Sequence, residues 1–187
     1  MLRRFLSRGS NHATPVNPLI TQGKNTSEVV ENGRHLQKLH DPITMTLISK
    51  EELATNTFVY RFALPEENSS LGHYTCQYLK FEAMVNGEKF ERFYHPLSKV
   101  ADTGYVDLLI KVYLRNFEHQ SGGAFTQFID RMPLGNTTMK ITGIGGDMHY
   151  MGNSMFQVRD EKTKEMEERR IDRVGMIAAG SGITPMF

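Results

Sequence analysis

Residues 92–98 bring together the side-chain types that could hold a planar, anionic ligand. The stretch reads Arg92-Phe93-Tyr94-His95-Pro96-Leu97-Ser98. Proline fixes its own backbone and pushes the preceding residue into an extended conformation, so Pro96 keeps Tyr94 and His95 on a stiff, non-helical chain. Arg92 supplies a cation and Ser98 a hydroxyl on either side. Taken alone, however, these residues favour an ordinary edge strand that runs into a turn.

Two glycine-rich turns could bring the backbone close to phosphate oxygens. Gly122-Gly123 precedes a helix-like stripe, where unpaired N–H groups favour an anion and Thr126 offers a hydroxyl. Residues 180–182 follow an apolar run and precede Thr184-Pro185, which is the strand, turn and helix order of dinucleotide-binding folds. Each turn alone is also explained by a plain glycine-rich connection into a helix.

Short strands must position the first of these stretches. Residues 43–49 and 57–64 alternate apolar and polar side chains, which is typical of two antiparallel strands. Residues 77–85 and 88–94 flank Asn86-Gly87, the strongest hairpin signal in the chain. The return strand of this hairpin delivers residues 92–98 to the end of a sheet.

The clearest strand pattern begins at Val106. Its core-facing set is Val106, Leu108, Ile110, Val112 and Leu114, and its other face carries Asp107, Leu109, Lys111, Tyr113 and Arg115. The second face is therefore available to a ligand or to solvent. After it, Phe125, Phe128, Ile129 and Met132 have the spacing of an apolar helix face.

The last part of the chain predicts a change of architecture. Residues 149–173 are rich in mixed charges, which favours a solvated linker. Residues 174–179 form a short apolar run typical of a buried parallel strand. We therefore expect residues 174–187 to be the start of a truncated α/β domain.

Composition excludes several classes of protein. The chain has 187 residues and a net charge of +1, which argues against a dedicated nucleic-acid binder. Its one cysteine, Cys76, cannot form an intramolecular disulfide, and its seven histidines show no spacing typical of metal ligands, so we expect no metal site. No apolar run reaches the roughly 18 to 20 residues of a membrane helix, so any membrane association would be peripheral or lie outside this sequence.

Residues 1–40 have two interpretations, a targeting sequence or a tail without a targeting role. Through Ser27 this segment has arginines and hydroxyl residues but no acidic residue, which is typical of a mitochondrial presequence. A disordered basic tail explains the same composition.

Taken in order, the motifs resemble the NADH-cytochrome b5 reductase family, within the ferredoxin-NADP reductase superfamily. The resemblance runs from near Ile43 to the last residue. It rests on residues 92–98, similar to an Arg-x-Tyr-Thr-Pro-x-Ser flavin motif, and on residues 106–113, Gly122-Gly123-x-x-Thr126 and residues 175–186. It implies an all-β fold for residues 41–148, a six-stranded antiparallel Greek-key barrel with one capping helix that binds FAD. The first strand of a truncated α/β nicotinamide domain would follow.

The resemblance also implies roles for individual residues. Arg92 would pair with the FAD pyrophosphate, Tyr94 would pack along the flavin and ribityl chain, and Ser98 would support the loop. His95 and Thr184 would lie nearest the chemistry. The complete cofactor-binding set is Arg92, Tyr94, His95, Pro96, Ser98, Lys111, Tyr113, Gly122, Gly123, Thr126 and Thr184.

The implied activity transfers a hydride from NADH to FAD and then single electrons to a haem protein such as cytochrome b5. The composition of residues 1–27 predicts a mitochondrial location, and the alternative is the cytoplasmic face of an internal membrane. Two alternatives stay open because the sequence stops before a complete nicotinamide site. The chain would then be a non-catalytic flavin-binding or structural subunit, or the poorly folding product of a degraded gene.

Three departures from the family pattern bear on the flavin site. His95 replaces a threonine that lies beside the reactive flavin nitrogen, and an imidazole there would alter the redox poise of the flavin or obstruct its ring. Ala124 replaces a common lysine, and Phe125 replaces a common methionine. The phosphate site would lose a charge but keep its helix.

Overall fold

The computed structural model describes residues 42–114 and 122–187, which form nine strands, one α-helix and one 3-10 helix. The presequence-like segment and Arg115 lie outside the described residues.

Six strands form one antiparallel sheet. They are β1 (Ile43–Ala54), β2 (Thr57–Ala63), β3 (Tyr78–Val85), β4 (Glu88–Tyr94), β5 (Tyr105–Lys111) and β6 (Thr138–Gly145). Their order in the sheet is β4-β3-β6-β1-β2-β5. The β3–β4 hairpin turns at Asn86 and Gly87, both with positive φ, as the sequence predicts.

The two edges of this sheet meet just beyond the end of β4. Pro96 forms an antiparallel bridge with Leu108, and the backbone N–H of Leu97 donates to the carbonyl of Asp107 at 2.8 Å. This contact closes the sheet on itself, since it joins the chain after β4 to β5 at the opposite edge. The predicted all-β, Greek-key barrel is confirmed.

The core lies inside the barrel and follows the predicted alternation. On β5, Val106, Leu108 and Ile110 are buried, whereas the alternate residues point outward. The helix α1 (Ala124–Asp130) caps the barrel with Phe125 and Ile129. Its last residue, Asp130, pairs with Lys50 and accepts a hydrogen bond from the buried Tyr60 hydroxyl at 2.8 Å. The helix is thus fixed to β1 and β2 at its carboxyl end.

The structure differs from the predicted charged linker over residues 149–173. A second antiparallel sheet lies there, made of β7 (Met148–Gly152), β8 (Met155–Arg159) and β9 (Met166–Arg170). Asn153 and Ser154, both with positive φ, make the turn between β7 and β8, and Phe156 is buried beneath the sheet. β9 has one methionine followed by four charged residues and is exposed after Met166, so its sequence shows no apolar–polar alternation that would predict a strand.

The segment after β9 also differs from its prediction. Residues 174–179 form no strand, and the side chain of Ile177 is 95% exposed. A strand needs a hydrogen-bonded neighbour, and within the described residues no strand runs beside this segment. The 3-10 helix that follows, Gly180–Met186, lies against β5. No helix in residues 42–114 or 122–187 has the length and apolarity needed to cross a membrane.

Candidate functional site

A groove of about 490 Å³ opens where four elements meet. They are the end of β4, the end of β5, the start of α1 and the 3-10 helix. The lining residues are Arg92, Phe93, Tyr94, His95, Leu109, Ile110, Lys111, Tyr113, Gly123, Phe125, Thr126, Ser181, Gly182, Thr184 and Pro185.

Most of the site residues predicted from the sequence share this groove. On its walls are Arg92, Tyr94, His95, Lys111, Tyr113, Gly123, Thr126 and Thr184. Pro96, Ser98 and Gly122 lie outside the lining set. The barrel therefore brings together three motifs that are far apart in the chain.

Arg92 places an exposed cation at the mouth of the groove. Its Nη1 donates to the neighbouring carbonyl of Glu91 at 2.7 Å, and within the described residues no carboxylate forms an ion pair with it. Its guanidinium carbon lies 5.3 Å from the ring centroid of Phe90 and 6.0 Å from that of Phe125. The charge is thus held by aromatic rings and is available to an anion.

Tyr94 forms part of an aromatic wall behind this cation. Its ring stacks on Phe125 with centroids 6.2 Å apart and an interplanar angle of 21°, and it meets Phe81 edge to face at 5.7 Å. Burial raises the pKa of the Tyr94 phenol to about 12, although the charge of Arg92 opposes the shift. The phenol is consequently neutral at physiological pH.

His95 is half-buried beside a second pair of rings. Tyr78 meets the His95 ring at 6.1 Å and the Phe93 ring at 5.0 Å, both edge to face. Tyr78 packs on Gly145, where a Cβ would come within 3.0 Å of the phenol oxygen. Burial lowers the pKa of His95, so its imidazole is neutral near pH 7.

A set of hydrogen bonds joins the end of β5 to the start of α1. The Thr126 hydroxyl accepts from the backbone N–H of Tyr113 at 3.2 Å and donates to the carbonyl of Gly123 at 3.0 Å. The N–H of Gly123 donates to the carbonyl of Tyr113 at 2.8 Å. Lys111 extends beside this junction, with its Nζ 5.7 Å from the Tyr113 ring.

This geometry changes the interpretation of Thr126. The sequence suggests a hydroxyl for a phosphate, but the hydroxyl proton already has an acceptor within the protein. Gly122 makes the turn before the helix with φ of 62°, outside the groove. Gly123 is needed for close packing, since an added Cβ would lie 2.5 Å from the Thr126 hydroxyl oxygen.

Ser98 and Pro96 contact β5 at the point where the barrel closes. The Ser98 hydroxyl accepts a hydrogen bond from the backbone N–H of Asp107 at 3.3 Å. The Asp107 carboxylate in turn accepts two hydrogen bonds from Arg61, each 2.7 Å long. The Ser98 hydrogen bond joins the segment that follows β4 to β5, and the supporting role of Ser98 at the flavin stays a prediction.

Thr184 reaches the groove from the 3-10 helix, where its hydroxyl donates to the carbonyl of Ser181 at 3.2 Å. The same helix brings Ser181, Gly182 and Pro185 to the wall. Phe93, Phe125 and Leu109 are lining residues that sequence reasoning did not select. Leu109 had a signal, because it is the apolar residue on the outward face of β5.

The chain is similar to known flavoprotein domains. A model of the family described as the oxidoreductase FAD-binding domain matches residues 44–150. NADH-cytochrome b5 reductase 2 of Danio rerio is 37% identical over 170 residues, which cover 88% of this chain and 55% of that protein. The human protein of the same name is 37% identical over 154 residues, covering 80% of this chain and 55% of its own length. The chain thus spans about half the length of the curated relatives it matches.

Solved structures show the same fold. The cytochrome b5 reductase domain of Ulva prolifera nitrate reductase superposes with a TM-score of 0.69 at 26% identity, over 78% of this chain and 53% of that one. The FAD/NAD-binding domain of a Vibrio cholerae nitric oxide dioxygenase has a TM-score of 0.57 at 17% identity, over 78% and 54% of the two chains.

Proposed function

This chain belongs to the family of oxidoreductase FAD-binding domains, and we propose that its groove holds FAD for a reductase of the NADH-cytochrome b5 reductase type. One observation carries the proposal. Arg92 offers a cation with no carboxylate partner among the described residues, directly beside the stacked rings of Tyr94 and Phe125. A cation and flat apolar faces on one groove suit a ligand that is anionic at one part and planar at another.

Different residues of the groove would bind different parts of FAD. Arg92 would hold the pyrophosphate through charge-assisted hydrogen bonds. Tyr94, a neutral phenol at physiological pH, would pack along the flavin and ribityl chain without adding a charge. Thr126 and Gly123 would keep the start of α1 against β5, so that the backbone stays at a constant distance from the ligand.

His95 and Thr184 are the polar side chains proposed to lie nearest the reactive end. They reach the groove from different elements, the end of β4 and the 3-10 helix. A neutral imidazole at His95 donates a hydrogen bond at one ring nitrogen and accepts one at the other, whereas a charged imidazole donates at both. Bound FAD would supply the chemistry, accepting a hydride from NADH and passing single electrons to a haem protein such as cytochrome b5.

A second candidate is a flavin-binding subunit that does not use NADH. The observation in its favour is that residues 174–179, which we expect to begin an α/β domain, form no strand and leave Ile177 exposed. Both candidates require FAD, and they differ in the donor that reduces it.

We propose a mitochondrial location for the protein on composition alone. The support is that residues 1–27 contain arginines and hydroxyl residues but no acidic residue.

Titration of the purified chain with FAD tests the shared part of the proposal. Wild-type protein should bind FAD and become yellow. Arg92→Ala should bind it roughly 10- to 100-fold more weakly, since a charge-assisted hydrogen bond is lost. Arg131→Ala, which removes an exposed cation just after α1, is the matched control and should leave FAD binding unchanged. Protein that retains no yellow colour after unbound FAD has been removed would refute both candidates.

A second measurement separates the candidates. NADH, added without oxygen, should bleach the flavin of a working reductase. A flavin that only dithionite bleaches would favour the subunit that does not use NADH. Cytochrome b5 added after NADH should be reduced only in the first case.

A further inference from the structure

We propose that Phe125 is a positioning residue for FAD, whose ring orients Arg92 and Tyr94 together. The inference rests on the proposed function, because its consequence is measured as FAD affinity. Phe125 is 1% exposed and counts among the largest fully buried side chains of the barrel. Phe125 is nevertheless one of the residues that line the groove.

Phe125 contacts both proposed FAD-binding side chains. Tyr94 stacks on its ring at 6.2 Å with only 21° between the planes. The guanidinium of Arg92 lies 6.0 Å from the same centroid. Stacking and cation–π contacts depend on the orientation of the ring, so the angle of Phe125 influences the position of both partners.

The ring of Phe125 is itself held firmly by the helix. The preceding Gly123 packs against the Thr126 hydroxyl and Tyr113, which fixes the first turn of α1 on β5. One turn later, Ile129 is fully buried in the core. Phe125 therefore links two parts of the groove that no backbone hydrogen bond joins directly, the end of β4 and the start of α1.

An aliphatic side chain of similar volume would fill the same space without presenting a flat face. Tyr94 would lose its stacking partner, and Arg92 would lose one of its two aromatic neighbours, Phe90 being the other. Both side chains would then sample more rotamers, and FAD would have to order them on binding. The expected effect is thus on FAD affinity, separate from the loss of packing.

FAD titration of Phe125→Leu and Phe125→Ile tests the proposal, with Ile129→Ala and Ile129→Val as matched controls on the same helix. The Phe125 variants should bind FAD roughly 5- to 50-fold more weakly, at a temperature where thermal melts show every variant folded. Phe125→Ile keeps a measurement available if Phe125→Leu does not fold. The Ile129 variants lose buried volume but leave the ring in place, so their affinity should stay within about threefold of wild type.

A double-mutant cycle separates positioning from general destabilisation. Arg92→Ala should weaken FAD binding less in the Phe125→Leu background than in wild type, by roughly threefold or more, because the two side chains act as a unit. Additive effects, or equal losses in the Phe125 and Ile129 variants, would overturn this inference while leaving the proposed function intact. Wild-type protein that does not bind FAD would overturn both.

Discussion

The Thr126 hydroxyl accepts the backbone N–H of Tyr113 at 3.2 Å, and this hydrogen bond fastens the start of α1 to the end of β5. Thr126 also donates to Gly123, so one buried hydroxyl serves two elements. Tyr113 and Gly123 both border the groove. The geometry of the site consequently depends on a side chain whose own polar atoms face the protein.

Replacing Thr126 with valine should destabilise the fold by about 1 to 3 kcal/mol, because the Tyr113 N–H and the Gly123 carbonyl lose a partner while the volume is kept. Urea unfolding measures this change. Thr126→Ser keeps the hydroxyl and should recover most of the loss. A valine variant as stable as wild type would show that the bond contributes nothing to the junction.

Gly123→Ala should also be harmful, since its Cβ would lie 2.5 Å from the Thr126 hydroxyl oxygen and 3.1 Å from the Tyr113 Cβ. We expect a loss of about 1 to 3 kcal/mol in the free energy of unfolding, together with weaker FAD binding. The control is Gly175→Ala, where an added Cβ meets nothing within 4 Å. That variant should stay within about 0.5 kcal/mol of wild type. Equal stabilities for the two variants would contradict the close packing at Gly123.

His73 should make stability fall in mild acid. It is 5% exposed, and burial lowers its pKa to about 4 although Asp102 opposes the shift. The unfolded state, with an ordinary pKa near 6.5, then binds more protons than the folded state between these values. The contribution of His73 to the free energy of unfolding is complete above about pH 6.5. It is lost as the pH falls toward 4, and the total loss is about 3 kcal/mol.

Urea unfolding of wild type and His73→Leu across this pH range isolates the contribution. Leucine does not titrate, so the stability of the variant should fall less steeply between pH 6.5 and 4. If the unfolding free energies of the two proteins fall in parallel with pH, the pKa of His73 is not lowered in the folded state.

His95→Thr should change the pH dependence of the flavin potential. Burial lowers the pKa of His95, so the wild-type imidazole gains its charge at a lower pH than an ordinary histidine does. A nearby cation favours the more negatively charged reduced cofactor. The potential of wild type should therefore rise above that of the variant in acid, and the two should converge near pH 8. Spectroscopic redox titration at several pH values measures the difference, and a pH-independent difference would exclude protonation of His95 as its cause.

Local sequence patterns predicted much of the barrel. The alternation in β5, the Asn86-Gly87 turn and the helical stripe that begins at Phe125 each depend on neighbouring residues, so each can be seen along the chain. They failed in β7–β9, where a strand such as Met166–Arg170 carries four charged residues and no alternation, and at residues 174–179, where an apolar run had no strand to pair with. Periodicity reports the face a residue occupies, not whether a partner exists for that face.

For the candidate site, the sequence by itself determined which motifs carry the polar groups, namely residues 92–98, the turn at Gly123 and the turn before Thr184. Only the tertiary structure decided how these groups are used. It stacked Tyr94 on Phe125 and engaged the Thr126 hydroxyl within the protein. The reason is physical, because contacts between β4, β5 and α1 follow from strand register and barrel closure, which connect residues that no local pattern relates.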